Sequence, residues 1–345
     1  MSATRAQRTR TAGSAEAAAR AESLVRALGD TLERTLRPML AGVSRVALLD
    51  VPTHQNVGDS AIYLGTLALL RRAAITLCYA CSVETYSRRA LARRLGDGTI
   101  LLAGGGNLGD LWPVHQQLRE QVLADFPTTR VIQLPQSLHF GDPGMLARAQ
   151  AAFGAHRQFT MLLRDERSLA AARAAFDTPA VLCPDLAFAL GPVRRPVAAT
   201  APVVWLARRD REAAPNSDAS GHVTFDWAVQ PPSALSRVER MGHALMSAHP
   251  RLELVAHGPL LRLGAIASRG RVRMGCAMLA AGAAVITDRL HGHILSLLLG
   301  IPHVVLDNSY GKVRSFYETW TRDAPIVQWA DSAADAVRLV AQWAS

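Results

Sequence analysis

Apolar residues in this chain fall into short continuous runs separated by longer stretches with helical spacing. SRVALLDVP (44–52), ITLCYACS (75–82), TILL (99–102), TRVIQLPQS (129–137) and FTMLL (159–163) are such runs. Each predicts a strand covered on both faces, as in a parallel sheet. Helical spacing precedes the first run, from about Ala15 to Leu40. It recurs after the polar loop THQNVGDS, in the basic segment Tyr86–Leu95, from His115 to Phe126, in MLARAQAAFGAH and in RSLAAARAAF. Strand alternating with helix argues for a doubly wound parallel sheet.

A Pro-containing stretch near Gly191–Thr200 reads as a linker. Beyond it PVVWLARRD opens a second set, with polar, Pro-rich loops at Glu212–Gly221 and Gln230–Ser236 around a short strand, HVTFDW. A helix over Ala234–Ala248, a strand over Leu252–His257 and a helix over Arg271–Ala281 are expected next. Two further strand–loop–helix units run to Trp320, and an amphipathic helix, Ala330–Trp343, ends the chain. The expected organisation is an N-terminal disordered start and helix (1–40), a Rossmann-like domain (41–192), a second one (200–325) and a terminal helix (326–345). Two Rossmann-like halves facing each other would bind ligands at their C-terminal strand ends, between the halves.

Composition narrows the class. No apolar run approaches the roughly 18 residues of a membrane span, and the basic, Ala-rich start lacks the apolar core of a secretory signal. Cys78 and Cys81 form a C-x-x-C, but Cys183 and Cys276 stand alone, so no second pair completes a zinc site. Four core cysteines in a reducing cytosol are expected. The net charge is +10, with scattered arginines and only 6% aromatic residues. A single-strand nucleic-acid surface needs stacking rings, so nucleic acid is not an expected partner; the anionic inner membrane face remains a softer option. The 38 basic residues are 37 arginines and one lysine, Lys312. The lone lysine is either incidental or marks a place that needs a compact ammonium and not a planar guanidinium.

Four polar loops follow apolar strands, which puts them on the same edge of a sheet. The first, His54–Ser60, opens a helix and carries Asn56, Gly58 and Asp59; helix starts attract anions, and Asp59 and Ser60 also suit capping. The second holds Gly104, Gly105, Gly106, Asn107 and Gly109, formally G-x-G-x-x-G. The dinucleotide fingerprint also needs an acidic residue at the end of the next strand. That strand ends in Pro135, Gln136 and Ser137, so what survives is a loop that a ligand can approach closely. The third starts at Arg164, with an internal salt bridge among Arg164–Arg167 as the plainer reading. The fourth, Thr287–His293, sets Arg289 and His291 around Leu290. A guanidinium forks onto carboxylate or phosphate, and an imidazole shuttles protons near neutral pH; His293 is better read as packed or capping. The loop Asp307–Lys312, with Ser309, follows the next strand.

NVGDSAIYLG, LAGGGNLGD, QLPQS, LLRDERSL, CPDLAF, DRLHGHILSLLLGIP and DNSYGKVRSF, in this order, resemble the motifs of the polysaccharide pyruvyl transferase family. The resemblance spans about Leu48 to Trp320. It implies a fold like GT-B glycosyltransferases, phosphoenolpyruvate as donor substrate, no cofactor and no required metal. It places donor binding on Arg164, Arg289, Leu290, His291 and Lys312, with Ser309 beside them, and catalysis on His291, Arg289 and Arg164. Asn56, Gly58, Asp59, Gly105, Gly106 and Asn107 fall to the acceptor side. The acceptor implied is a glycan or lipid-linked oligosaccharide of exopolysaccharide assembly, in the cytoplasm or at the inner membrane face. Two rivals stand beside it. A nucleotide-sugar glycosyltransferase would need an acid placed for a ribose, which is not found. A non-catalytic binding protein at the membrane face would be expected to have lost Arg289 or His291.

Overall fold

The computed structural model describes residues 2–209, 223–249 and 253–344. Its first sheet contains β1 (Arg45–Leu49), β2 (Thr76–Cys81), β3 (Thr99–Leu102), β4 (Gly105–Gly109), β5 (Val131–His139), β6 (Phe159–Leu163) and β7 (Ala180–Leu182). The order is β2-β1-β3-β5-β6-β7, with β4 pairing with β5 off this path. The pairings are parallel. Alternation along each strand explains the continuous apolar runs, since successive side chains enter opposite layers. Val46 and Leu48 of β1 pack with Leu32 and Leu36 of α1 (Ser2–Leu36) and Ile62 and Leu69 of α2 (Val57–Arg72). Ala47 and Leu49 pack in the opposite layer with Leu91 of α3 (Arg88–Leu95), Val122 of α4 (Pro113–Asp125), Phe153 of α5 (Pro143–Ala155) and Leu169 of α6 (Glu166–Ala175). Side-chain caps start these helices where the sequence supplies them: Asn56 for α2, Ser87 for α3, Asp142 for α5 and Asp165 for α6.

The second sheet is also parallel, in the order β12-β11-β10-β8-β9. Its strands are β8 (Ala201–Leu206), β9 (Val223–Phe225), β10 (Gly282–Thr287), β11 (His303–Val305) and β12 (Val327–Trp329). Trp205, Ile286 and Val304 pack with Ala336 and Val340 of the last helix, Ala333–Ala344. Two parallel sheets with Rossmann-like strand order are thus the observed architecture. Among the described residues, no helix is long and apolar enough to cross a membrane.

Several expectations are corrected. The strand expected over Leu252–His257 is helical from Glu253: α7 (Ala234–Ala248) is followed by α8 (Glu253–Ala280), which carries Pro259 inside it. A short apolar run cannot be assigned to strand or helix by periodicity alone. The expected disordered start is helical from Ser2, in line with the helix propensity of its Ala, Arg and Glu residues, and that helix ends at Leu36 rather than Leu40. Part of the Gly-rich loop is β4, and β12 has no counterpart in the sequence reading. The polar loop expected over Glu212–Gly221 lies outside the described residues. The chain divides into two compact units, neither of them continuous. One, the β1–β7 unit, is Thr31–Ala189 with Ala228–Val272. The other, the β8–β12 unit, is Met1–Asp30, Leu190–Trp227 and Arg273–Ser345.

The interior of the β8–β12 unit holds a histidine pair. His293 Nδ1 lies 2.7 Å from His303 Nε2, and His303 Nδ1 lies 2.7 Å from the Ile301 carbonyl oxygen. The carbonyl accepts only, so His303 Nδ1 donates to it and His303 Nε2 accepts from His293. Burial pulls the His303 imidazole down to about 4 and, with the neighbouring His303, holds His293 well below its usual value. Between about 6.5, the value for a solvated histidine, and about 4, the unfolded chain binds a proton at His303 that the folded protein does not. Stability contributed by the neutral pair is therefore present above pH 6.5 and lost as pH falls toward 4. The variant His303→Asn is expected to show a shallower loss of stability than wild type when urea unfolding is compared at pH 7, 5.5 and 4.5.

Candidate functional site

In open parallel sheets, the loops at the C-terminal strand ends diverge where the strand order reverses, and ligands bind there. In the β8–β12 unit this point lies at the ends of β8 and β10. The residues that follow these strands are Ala207–Arg209 and Asp288–Arg289. Arg289 is the N-cap of α9 (Leu290–Leu298). Its guanidinium is buried and donates to Asp226 Oδ2 at 2.6 Å, and the same oxygen accepts from the Arg209 N–H at 3.0 Å. Asp288 Oδ1 accepts from the Arg208 N–H at 2.8 Å. Among the described residues, Asp288 Oδ2 is buried without a hydrogen-bond partner. Burial pushes the Asp288 carboxyl up to about 6, against the opposing pull of the Arg208 N–H and of the Arg289 and Arg208 charges.

His291 sits half-buried in the first turn of α9. Gly292 lets that turn press on β10: a Cβ there would stand 2.3 Å from Thr287 Oγ1 and 2.7 Å from Leu206 Cδ2. His293 is the packed histidine described above. The neighbouring loop, after β11, is organised by its own side chains. Asp307 Oδ1 accepts from the Asn308 N–H at 2.9 Å, and Asn308 Oδ1 from the Lys312 N–H at 3.0 Å. Gly311 takes φ +81°, which favours glycine. The nearly buried Lys312 places Nζ 2.7 Å from Tyr310 Oη. Asn308 Nδ2 is a buried donor with no hydrogen-bond partner among the described residues, and Ser309 is exposed.

In the β1–β7 unit the reversal lies at the ends of β1 and β3. Asn56, Asp59 and the Gly-rich segment meet here: Asn56 Oδ1 accepts from the Gly58 N–H at 3.0 Å, Asn56 Nδ2 donates to Asp59 at 2.8 Å, and a Cβ on Gly105 would lie 3.6 Å from Asp59. Gly106 is half-buried beside them. Asn107 is the centre of a wider network. Its Nδ2 donates to Asp50 Oδ2 at 3.1 Å, its Oδ1 accepts from Gln136 Nε2 at 2.7 Å and from the Arg119 guanidinium, and its N–H donates to Gln136 Oε1 at 3.0 Å. His115 Nδ1 lies 2.8 and 2.9 Å from the two Asp50 oxygens. Asp50, His115 and Arg119 are not among the residues that the sequence points to. The available signal was position: Asp50 is the first residue after an apolar strand, and His115 opens a helix.

Arg164 belongs to another network of this unit. Its side chain is 1% exposed; Nη1 lies 2.8 Å from Asp185 and Nε 3.0 Å from Ser137 Oγ. Ser137 in turn donates to Asp165, the cap of α6, at 2.8 Å. Arg167 is exposed.

A crystal structure of a functionally uncharacterised protein from Klebsiella pneumoniae shares the fold, with a TM-score of 0.58 at 16% identity, covering 87% of this chain and 99% of that one. Pyruvyl transferase 1 of Schizosaccharomyces pombe is 34% identical over 340 residues, covering 93% of this chain and 82% of its own. A Bacillus subtilis protein provisionally named as a pyruvyl transferase, EpsO, is 30% identical over 305 residues, covering 86% and 92%. The polysaccharide pyruvyl transferase family description matches residues 56–310, and the chain belongs to that family. It is a transferase of this family, and pyruvyl transfer to polysaccharide is the family's general activity.

The buried Arg164–Asp185 pair makes one expectation specific. Removing the cation leaves a buried carboxylate uncompensated, a change that costs roughly 3–5 kcal/mol. Arg164→Gln is expected to lower the thermal unfolding midpoint clearly. A variant with a wild-type midpoint but lost donor affinity would instead assign the guanidinium to a ligand.

Proposed function

We propose that the protein transfers the enolpyruvyl unit of phosphoenolpyruvate to two hydroxyls of one sugar in a polysaccharide or its lipid-linked precursor, forming a pyruvate ketal and releasing phosphate. The observation that carries this reading is the set of residues that meets at the β8–β10 reversal. There Arg289 caps α9, His291 stands in its first turn, and the next loop brings the chain's one lysine. The donor carries a carboxylate and a phosphate on one enol carbon. Arg289 and Lys312 supply cations for them, and the backbone N–H groups of Leu290 and His291 add the anion-attracting end of a helix. Ser309 offers a hydroxyl from the same loop. The buried Asn308 amide, a donor lacking a partner among the described residues, supports a ligand acceptor atom nearby. Arg164 takes part as a donor contact only if its Asp185 pair opens.

In the reaction a sugar oxygen bonds to C2 while the C2–C3 π pair takes a proton at C3. The C2–O bond to phosphate then breaks, and a second hydroxyl of the same sugar bonds to C2. Two hydroxyl protons are lost in all: one replaces the proton given to C3, and the other leaves with phosphate. His291 is the general acid, a role worth on the order of 10²–10⁴ in rate. Asn56, Gly58, Asp59, Gly105, Gly106 and Asn107 serve the acceptor. The net charge of +10 suits a lipid-linked acceptor at an anionic, cytoplasmic membrane face.

Incubation with phosphoenolpyruvate and sugar acceptors, read as phosphate release and a ketal methyl signal, tests the reading; no release from any acceptor would refute it. His291→Ala is expected to lower kcat by about 10²–10⁴ with an unchanged circular-dichroism spectrum. Lys312→Arg is expected to raise the donor KM and lower kcat although charge is kept, because a planar fork does not replace a point charge; unchanged constants would make the lone lysine incidental.

A further inference from the structure

We propose that Asp50 and His115 form a base for the acceptor, in which His115 Nε2 takes the proton of the attacking sugar hydroxyl and Asp50 positions the imidazole. This inference rests on the transfer reading above and adds to it a residue pair that neither the family resemblance nor the comparisons assign.

Three independent features point the same way. The first is location. Asp50 directly follows β1, and β1 and β3 flank the strand-order reversal of the first sheet, the place where open parallel sheets bind ligands. The second is orientation. Both Asp50 oxygens lie within 2.9 Å of His115 Nδ1, so Nδ1 carries the proton and Nε2 presents its lone pair. The Asp50 side chain is buried while the His115 side chain remains 21% exposed, and Nε2 has no hydrogen bond among the described residues. A carboxylate that fixes one imidazole nitrogen while the other faces a reactant is the arrangement of an oriented general base.

The third feature is the backbone. Asp50 has φ +70°, and Asp50 and Ala74 are the non-glycine residues with positive φ among the described residues. That conformation is unfavourable for most side chains and is most accessible to Asn and Asp outside glycine. The carboxylate is held in it from several directions. Asn107 Nδ2 donates at 3.1 Å and Arg119 Nη2 stands 3.9 Å away. Asn107 and Arg119 are locked in turn by Gln136 and Gln133, the latter accepting from Arg119 Nε at 2.6 Å. A pair serving only to tie α4 to β1 would gain nothing from an exposed ring or from a carboxylate already held by other donors.

In the step assigned to the pair, the O–H bond of the acceptor breaks to His115 Nε2 and the oxygen forms its bond to C2 of the enolpyruvyl unit. Asp50 stays ionised and stabilises the imidazolium. The imidazolium proton is released to solvent, which restores the base, and the departing phosphate takes up one proton from solvent.

The test uses the full-length protein with phosphoenolpyruvate and methyl glucopyranoside, galactopyranoside and mannopyranoside as acceptors. His115→Ala and His115→Gln are expected to lower kcat by about 100-fold or more with donor KM within threefold of wild type, and added imidazole should restore part of the His115→Ala activity. Asp50→Asn, which tolerates the same backbone conformation, is expected to lower kcat at least tenfold with little change in acceptor KM, and to lower the unfolding midpoint because buried Arg119 loses its neighbouring carboxylate. Should His115→Ala misfold, His115→Gln carries the comparison. Turnover of a folded His115 variant within threefold of wild type overturns the proposal, as does a loss confined to acceptor KM or one that imidazole does not restore. Wild-type protein that releases no phosphate with any of these acceptors defeats the transfer reading first, and this role with it.

Discussion

Parallel strand pairing with a reversed order is the constraint on which the rest of this structure depends. Each sheet grows in one direction from its first strand and then restarts on the other side of it. The helices leaving the two neighbouring strand ends therefore depart to opposite faces, and the backbone groups between them cannot be covered by either. The sequence places polar side chains at those points. Asp50 and the Gly-rich segment occupy one, and Arg208, Asp288 and Arg289 the other.

Burying so many arginines has a common solution. Arg119, Arg164, Arg271 and Arg289 are nearly inaccessible, and each lies against a carboxylate: Asp50, Asp185, Glu239 and Asp226. Desolvation alone would make these cations costly; at Arg119 it lowers the guanidinium to about 10, opposed by Asp50. Pairing of this kind adds little net stability compared with an apolar core, but it makes each partner strongly dependent on the other. The networks thus act as rigid supports. Arg271, for example, joins Glu239 at 2.7 Å and Ser60 Oγ at 2.9 Å, and so ties α8 and α7 to the start of α2.

Much of the fold was legible because its signals are local. Continuous apolar runs ending in polar loops gave most of the strands, whereas capping was read onto Asp59 and Ser60 and the cap of α2 is Asn56. The corrections fall where local signals are ambiguous. LELVAHG fits a strand or a helix equally well, and Val327–Trp329 is too short to register a period. For the site, the loops were readable but the partnerships were not. Asp50 and His115 are 65 residues apart in sequence, and nothing in spacing connects them. Asp226, which holds Arg289, follows a three-residue edge strand with no motif around it. Arg164 shows the converse: its strand-end position was correctly read, and its burial against Asp185 came from a segment 21 residues on.

The interleaving of the two units along the chain bears on how the protein is made. The polypeptide passes from one unit to the other near residues 30, 189, 227 and 272. During synthesis the β1–β7 sheet can assemble once residue 182 has emerged, yet its last helical cover, Ala228–Val272, arrives only after β8 and β9 have been translated. The β8–β12 sheet must wait for β12 near the end. Vectorial, domain-by-domain maturation is therefore closed to this molecule, and no single cut in the polypeptide would release either half intact.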